Sequence, residues 1–263
     1  MRESMNHSEL VAEFFKNPRP YLQRSYNIRL RSEVIQEMVG NRTFSDILDI
    51  GCGDGSLSVP LLTQSNRLVL VDLSAQMLSE ALSRIASDAI NNVHTVNGDL
   101  MQVTLPRERY DLILCMGVLA HVESPDKLIS KVSSLLNPGG CVVISVSSSD
   151  HFCGRLRMLY LRLRDLVRPP LYRLKFLSPD KVLERFAENG IVLRQSFRYN
   201  FPAPGMDRAL SNNWLYENIR RRYGTVANNT RAWFGSECIF LLSKDDCGST
   251  TTIPGKYGIH PVG

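Results

Sequence analysis

Several absences bound this chain before any motif is read. No apolar run is long enough to span a bilayer, which excludes a helical integral membrane protein. The segment MRESMNHSEL has no apolar stretch of the signal-peptide kind, so secretion is not expected. The six cysteines, Cys52, Cys115, Cys141, Cys153, Cys238 and Cys247, include no C-x-x-C pair. That argues against a zinc site or a disulfide framework and for reduced thiols in a cytoplasmic setting. No internal repeat is visible, so a solenoid or propeller is excluded. Neither charge sign dominates: a net charge of +5 and a pI near 8.9 permit an anionic partner without demanding one.

What is present is length and alternation. At 263 residues the chain can form one α/β core with insertions. Residues 46–55 read DILDIGCGDG: Ile47, Leu48 and Ile50 form a short apolar strand that stops at a glycine turn. A helical pattern of Leu57, Val59, Leu61 and Leu62 follows, predicting a helix over 56–65. Strand, glycine turn and helix allow backbone to approach a ligand closely. The spacing is G-x-G-x-G, unlike the G-x-G-x-x-G of dinucleotide binders.

Further apolar strands are predicted at 68–71, 93–96, 110–116, 141–146, 191–199 and 238–242, with helices at 75–90, 125–136 and 179–189. Alternating buried strands and helices imply a doubly wound α/β fold with a mostly parallel, seven-stranded sheet. Ligands on such sheets bind at the carboxyl ends of the strands. Gly51 to Gly55, Asp72, Asp99 and the 115–117 segment all fall there. Two helices are expected before the core: one capped by Ser8, the other over 21–39. The organisation read from this pattern is a helical cap at 1–44 and a core at 45–245 with insertions at 148–177 and 200–235. Residues 246–263 form a low-complexity tail expected to be disordered.

The blocks LDIGCGDG, LVDLS, NGDL, YDLILCMGVLAHV and LNPGGCVVIS resemble, in order and spacing, the motifs of class I S-adenosylmethionine-dependent methyltransferases. The resemblance covers about residues 47–147 and implies the Rossmann-like methyltransferase fold, with S-adenosylmethionine as cofactor. It implies that Gly51, Cys52 and Gly53 meet the amino-acid and sugar parts through backbone atoms, and that Asp49 orients the loop and the ammonium. Asp72 would bind the ribose hydroxyls and Asp99 the adenine amine. Leu73, Met77 and Leu100 would lie beside the base or ribose, and Cys115 would offer its carbonyl near the ammonium. In similar enzymes the segment before the core covers the cofactor, which makes Tyr21, Tyr26 and Arg31 candidates for the methionine end.

Two histidines are candidate catalytic bases: His121 in GVLAHV and His151 in SSSDHF. In ubiquinone-biosynthesis O-methyltransferases, which the first stretch resembles, a histidine here is joined by two glutamates that hold a metal. The matching positions are Gly117 and Ala120, which cannot ligate, so no metal is expected. The acceptor is expected to be a small molecule, methylated at oxygen, nitrogen or carbon. RNA methylation and a non-catalytic cofactor-binding protein are the rival readings. The absence of an N-P-P-Y motif after the fourth strand argues against nucleic acid.

Finally, Leu156, Leu159, Leu163, Leu166 and Val167 make one face of a helix whose other positions carry Arg155, Arg157, Arg162, Arg164 and Arg168. The leucines are expected to pack over the cleft. The arginines suggest an anionic or lipid-like acceptor, carrier-bound or membrane-resident, or peripheral contact with a membrane. Oligomeric state is not legible.

Overall fold

The computed structural model describes residues 7–14, 23–167, 170, 172–202 and 206–244. The expected tail, Tyr21, Arg168 and Cys247 lie outside the described residues. Seven strands form one sheet: β1 (Asp46–Ile50), β2 (Arg67–Asp72), β3 (Val93–Asn97), β4 (Tyr110–Cys115), β5 (Leu136–Ser147), β6 (Ile191–Tyr199) and β7 (Glu237–Lys244). Their order is β3-β2-β1-β4-β5-β7-β6. The β1–β5 pairings are parallel, and β7 runs antiparallel to both β5 and β6. Chain order reverses between β1 and β4, so the crevice at their carboxyl ends is the switch point where such sheets bind ligands.

The strand side chains alternate between two cores, as a period of two requires. Ile47, Leu68, Leu70, Leu112, Leu114 and Val143 face one layer. That layer comprises α2 (Ser25–Val39), α3 (Ala75–Ser83) and α8 (Asn212–Tyr223). Leu48, Ile50, Val69, Val71, Ile113 and Ile144 face the other, with α4 (Pro125–Ser134) and α6 (Pro179–Ala187). Both faces are covered, which is why the central strands carry so few polar residues. Among the described residues the remaining α-helices are α1 (His7–Phe14), α5 (Phe152–Val167) and the short α7 (Met206–Ala209). Among the described residues no helix is long and apolar enough to cross a membrane.

Three local expectations are corrected. No α-helix follows the glycine turn; residues 56–58 are turns, and a single 3₁₀ turn spans Val59–Leu61. Asp54 captures Ser56 through both its amide (3.3 Å) and its hydroxyl (2.6 Å). Pro60 then removes an amide donor that the second helical turn would need. Ser8 is not a cap: it lies within α1, and its hydroxyl reaches across the cleft. The leucine stripe of α5 does not pack inward either. Gly154 is the only buried residue of that helix, and a Cβ there would lie 2.0 Å from the Ser148 carbonyl oxygen. The helix therefore docks by its glycine face, which turns the leucines out to solvent.

Candidate active site

The glycine turn rises from β1 with the amides of Gly51, Cys52, Gly53 and Gly55 already committed. Gly51 and Cys52 both donate to the Val71 carbonyl at 2.8 and 3.1 Å. Gly53 donates to Asp72 Oδ2 at 2.9 Å, and Ser74 donates to Asp72 Oδ1 at 2.8 Å. Ser74 caps α3 by accepting from the Met77 amide. Gly51 and Gly53 have φ of 66° and 55°, which side-chain-bearing residues rarely adopt. A Cβ on Gly51 would also lie 2.6 Å from a Val118 methyl. This turn therefore differs from a phosphate-binding loop, whose amides point at the anion.

Carboxylates ring the same crevice. Asp49 is buried at 2% exposure, and its Oδ2 has no hydrogen-bond partner. Burial first, and then the neighbouring Asp72 and Asp54, push its carboxyl up to about 7. The Ser58 hydroxyl moderates that rise from nearby without meeting hydrogen-bond geometry. Burial also raises Asp72, against the two amides that hold it. Asp54 is buried and ion-paired with Arg84 at 2.6 Å. Asp99 accepts from the Met101 amide at 2.9 Å and, across the crevice, from the Ser8 hydroxyl at 2.5 Å. Amides turned inward and an orphaned buried carboxylate suit a cationic ligand and disfavour a diphosphate. S-adenosylmethionine, with its sulfonium and ammonium, fits that donor set.

The other candidates fall into groups. Met77, Leu100 and Cys115 are buried and Leu73 is half-buried around the turn. Tyr26 is buried within the apolar cluster that includes Leu30, Cys52 and Met116. Arg31 donates to the Tyr199 hydroxyl at 3.3 Å, and that hydroxyl donates to Asn27 at 2.8 Å. One Arg31 terminal nitrogen lies 3.5 Å from where a Gly117 Cβ would stand.

His121 lies at the lip. Its Nδ1 meets the Tyr172 hydroxyl in a short hydrogen bond, and His7 Nε2 lies 2.6 Å from the His121 carbonyl oxygen. Burial, then Arg31 and His7, lower His121 to about 4, so its ring is neutral near pH 7. His151 is placed differently. Its Nδ1 accepts from the Cys153 amide at 3.2 Å and its Nε2 meets the Trp233 carbonyl at 3.0 Å. Both ring nitrogens are thus occupied in holding the start of α5.

Four further residues of this region were not legible beforehand as parts of one site. His7, Ser8 and Tyr172 come from segments with no motif. Glu237 is 4% exposed at the start of β7, beside the carboxyl end of β5. It accepts from Arg157 at 2.7 Å and from the Ser147 hydroxyl at 2.8 Å. An acid directly before the apolar run CIFLL is the one signal that could have found it. Among the described residues no group of three or more metal-ligating side chains occurs.

A surface cavity of about 490 Å³, lined by residues including Arg42, Asp111 and Gly139, opens where β4 and β5 begin, away from this crevice. It contains none of the groups described above.

Comparison with known proteins agrees with the geometry. Residues 47–140 match the family described as a methyltransferase domain. An uncharacterized methyltransferase of Mycobacterium tuberculosis is 32% identical over 98 residues, 37% of this chain and 48% of that protein. A ubiquinone biosynthesis O-methyltransferase of Leptothrix cholodnii is 26% identical over 64% of this chain and 72% of its own length. The chain spans about half the length of curated relatives such as the mycobacterial one. Magnesium protoporphyrin IX methyltransferase of Synechocystis, solved with bound S-adenosylhomocysteine, superposes with a TM-score of 0.61 at 18% identity, over 91% of this chain and 100% of that one. Residues 47–140 thus match a methyltransferase domain, and the chain has the fold of solved S-adenosylmethionine-dependent methyltransferases.

Proposed function

We propose that the protein transfers a methyl group from S-adenosylmethionine to an oxygen of a small, anionic or lipid-like acceptor, carrier-bound or membrane-resident. One observation carries the cofactor side of this reading. Asp49, Asp72 and Asp99 converge at the carboxyl ends of three adjacent strands, around a turn whose amides are spent internally. Bound S-adenosylmethionine supplies an electrophilic methyl group on a sulfonium. The chain's own residues do the rest. Asp72, fixed by two amides, would hold the ribose hydroxyls. Asp49 would neutralise the ammonium, with the Cys115 carbonyl beside it. Leu73, Met77 and Leu100 would border the base. Ser8 shares Asp99, so α1 moves or shares that carboxylate when adenine binds.

Oxygen is favoured as acceptor by the buried, neutral His121. A neutral ring at the lip can accept a hydroxyl proton throughout the neutral range, and its lowered pKa makes it a weaker base than free imidazole. Tyr172 would fix the ring, much as a second group orients the base in other acid–base dyads. His151, with both nitrogens engaged, is the weaker of the two candidate bases. Arg31 and Tyr199 would face the methionine end or the acceptor. Free thiols at the described cysteines support a cytoplasmic setting.

Calorimetry with S-adenosylmethionine, followed by a methyl-release assay on candidate hydroxylated acceptors, tests the reading. Binding that is lost on adding S-adenosylhomocysteine, together with turnover unaffected by EDTA, is expected. Absence of any cofactor binding would overturn it.

A further inference from the structure

Among the described residues nothing covers the outward stripe of α5, an apolar face with basic edges. Phe152, Leu156, Leu159, Leu163, Leu166 and Val167 are all at least half exposed, the last two at 80% and 82%. At 100° per residue they occupy roughly 100° of the helix surface. Arg155 and Arg162 are exposed along one edge of that arc, and Arg164 along the other. Trp233, 75% exposed, continues the patch at the start of the helix, where its carbonyl meets His151. The Phe234 ring stands edge-on to the same histidine.

We propose that this face is a docking surface for an anionic lipid bilayer, on which α5 lies flat with its leucines among the acyl chains and its arginines at the headgroups. The helix has 16 residues, about 24 Å, and is too charged to cross a bilayer. A second copy of this chain is the other apolar occupant to weigh. Both edges of the stripe are basic, so face-to-face packing of two α5 helices would set arginine against arginine, whether parallel or antiparallel. The helix's only acid, Asp165, is turned inward at 11% side-chain exposure and already paired with Arg164. Headgroup phosphates complement those edges, whereas another copy does not. A tryptophan at the end of the stripe suits the headgroup level.

The placement also serves the crevice. α5 follows directly from the carboxyl end of β5, and Arg157 ties it to Glu237 beside the site. Docking therefore brings the mouth of the crevice to the membrane surface. Docking itself does not depend on methyl transfer; delivery of a lipid-like acceptor from the bilayer rests on the function proposed above.

The test is co-sedimentation of the full chain, without cofactor or acceptor, with phosphatidylcholine vesicles made with and without phosphatidylglycerol. Binding is expected only with phosphatidylglycerol. The paired substitution Leu159→Glu and Leu163→Glu should lower the partition coefficient at least ~10-fold. The pair Arg155→Gln and Arg162→Gln should lower it about 5-fold per arginine. Both variants should keep the wild-type melting temperature and cofactor affinity, because none of the four residues is buried or lines the crevice. No binding to phosphatidylglycerol vesicles overturns the proposal, as does undiminished binding by the glutamate variant. A concentration-dependent dimer that the glutamate variant abolishes, with no vesicle binding, would assign the face to self-association. Because no cofactor is present, a failed methyl-transfer assay and a failed docking assay are separately readable.

Discussion

The two sides of the crevice differ in how far apart in the chain their partners lie. On the cofactor side, the Gly53 amide and the Asp72 carboxylate are 19 residues apart, and Asp72 meets the Ser74 amide two residues on. On the acceptor side, His121 and Tyr172 are separated by 51 residues, Arg157 and Glu237 by 80, and Arg31 and Tyr199 by 168. The first side is a glycine turn with acids at the ends of adjacent strands. The second is side chains from five segments meeting over the sheet edge. A turn that depends on positive-φ glycines and strand-end acids tolerates little change, which suits a ligand shared by many enzymes. A side-chain mosaic can be altered one segment at a time, which suits an acceptor that differs between them.

If the sides are separable, damage to one should leave the other working. The largest expected effect is on stability from the acceptor side. Glu237→Ala removes the buried partner of Arg157 and Ser147, and a broken buried pair costs about 3–5 kcal/mol. Arg157 retains 29% side-chain exposure and can recover some solvation, so the lower end is expected. Chemical denaturation should show that loss while calorimetry on the folded variant finds cofactor affinity within ~2-fold of wild type. A large drop in affinity would mean the two sides are one cooperative unit.

His121→Asn comes next. It should lower kcat at least ~10²-fold with unchanged cofactor affinity. A base that ionises at about 4 also gives a kcat/KM flat between pH 6 and 8 as far as this group is concerned. The same histidine bears on stability. Its folded pKa is lowered from an ordinary 6.5, so the unfolded chain binds the extra proton between pH 6.5 and 4. Stability contributed by the neutral ring is therefore complete above pH 6.5 and lost progressively toward pH 4, by up to ~3 kcal/mol. Phenylalanine or asparagine at 121 should remove that acid sensitivity. An unchanged kcat would return His121 to packing.

The contrast in separation also explains what could be read from sequence. The strands, the glycine turn and the acids at strand ends are local patterns, and they were legible. So were the strand-end positions of Asp72 and Asp99. What failed were patterns whose meaning is settled by distant contacts. Leucines at helical spacing correctly marked α5 as a helix. Periodicity cannot say which face is covered, and the close approach of Gly154 to Ser148 decided it. Leu57 to Leu62 had helical spacing too, but Asp54 and Pro60 broke the turn. Tyr172, in a segment rich in arginine and proline, carried no signal because its partner lies on another loop.

Asp72→Ala tests the cofactor side. It removes the acceptor for two amides as well as the proposed ribose contact. Affinity should fall by ~1–3 kcal/mol, or roughly 5- to 150-fold, and Asp72→Asn by less, since an amide oxygen can still accept from Gly53 or Ser74. Calorimetry with equal affinities in all three proteins would place the ribose elsewhere. Gly53→Ala would sharpen the same point by straining a backbone at φ of 55° without touching any acid.

The smallest effect is a pH dependence, and it probes a carboxylate that the cofactor side leaves unsatisfied. Asp49 is buried, its Oδ2 lacks a partner, and Asp72 and Asp54 lie close enough to disfavour a further negative charge. With its carboxyl held at about 7, a sizeable fraction of the free protein is protonated there at neutral pH. A cation bound alongside favours the carboxylate and pulls that pKa down, so binding should expel a proton. The sign follows from that direction. Affinity is full above the free-protein pKa and weakens as pH falls through it, by about 10-fold between pH 8 and pH 6. The cofactor's own amine, like other α-amino groups, titrates near the upper end of this range. The comparison with Asp49→Asn isolates the carboxyl. The variant should bind more weakly at pH 8, and the part of the decline toward pH 6 that belongs to Asp49 should vanish. Calorimetry at pH 7 in two buffers of different ionisation enthalpy should register fractional proton release with wild type and less with the variant. Identical pH profiles for the two proteins would mean that Asp49 never meets the cation. The cofactor side would then rest on Asp72, Asp99 and the glycine turn, leaving Asp49 as a buried acid that only packs beneath the loop.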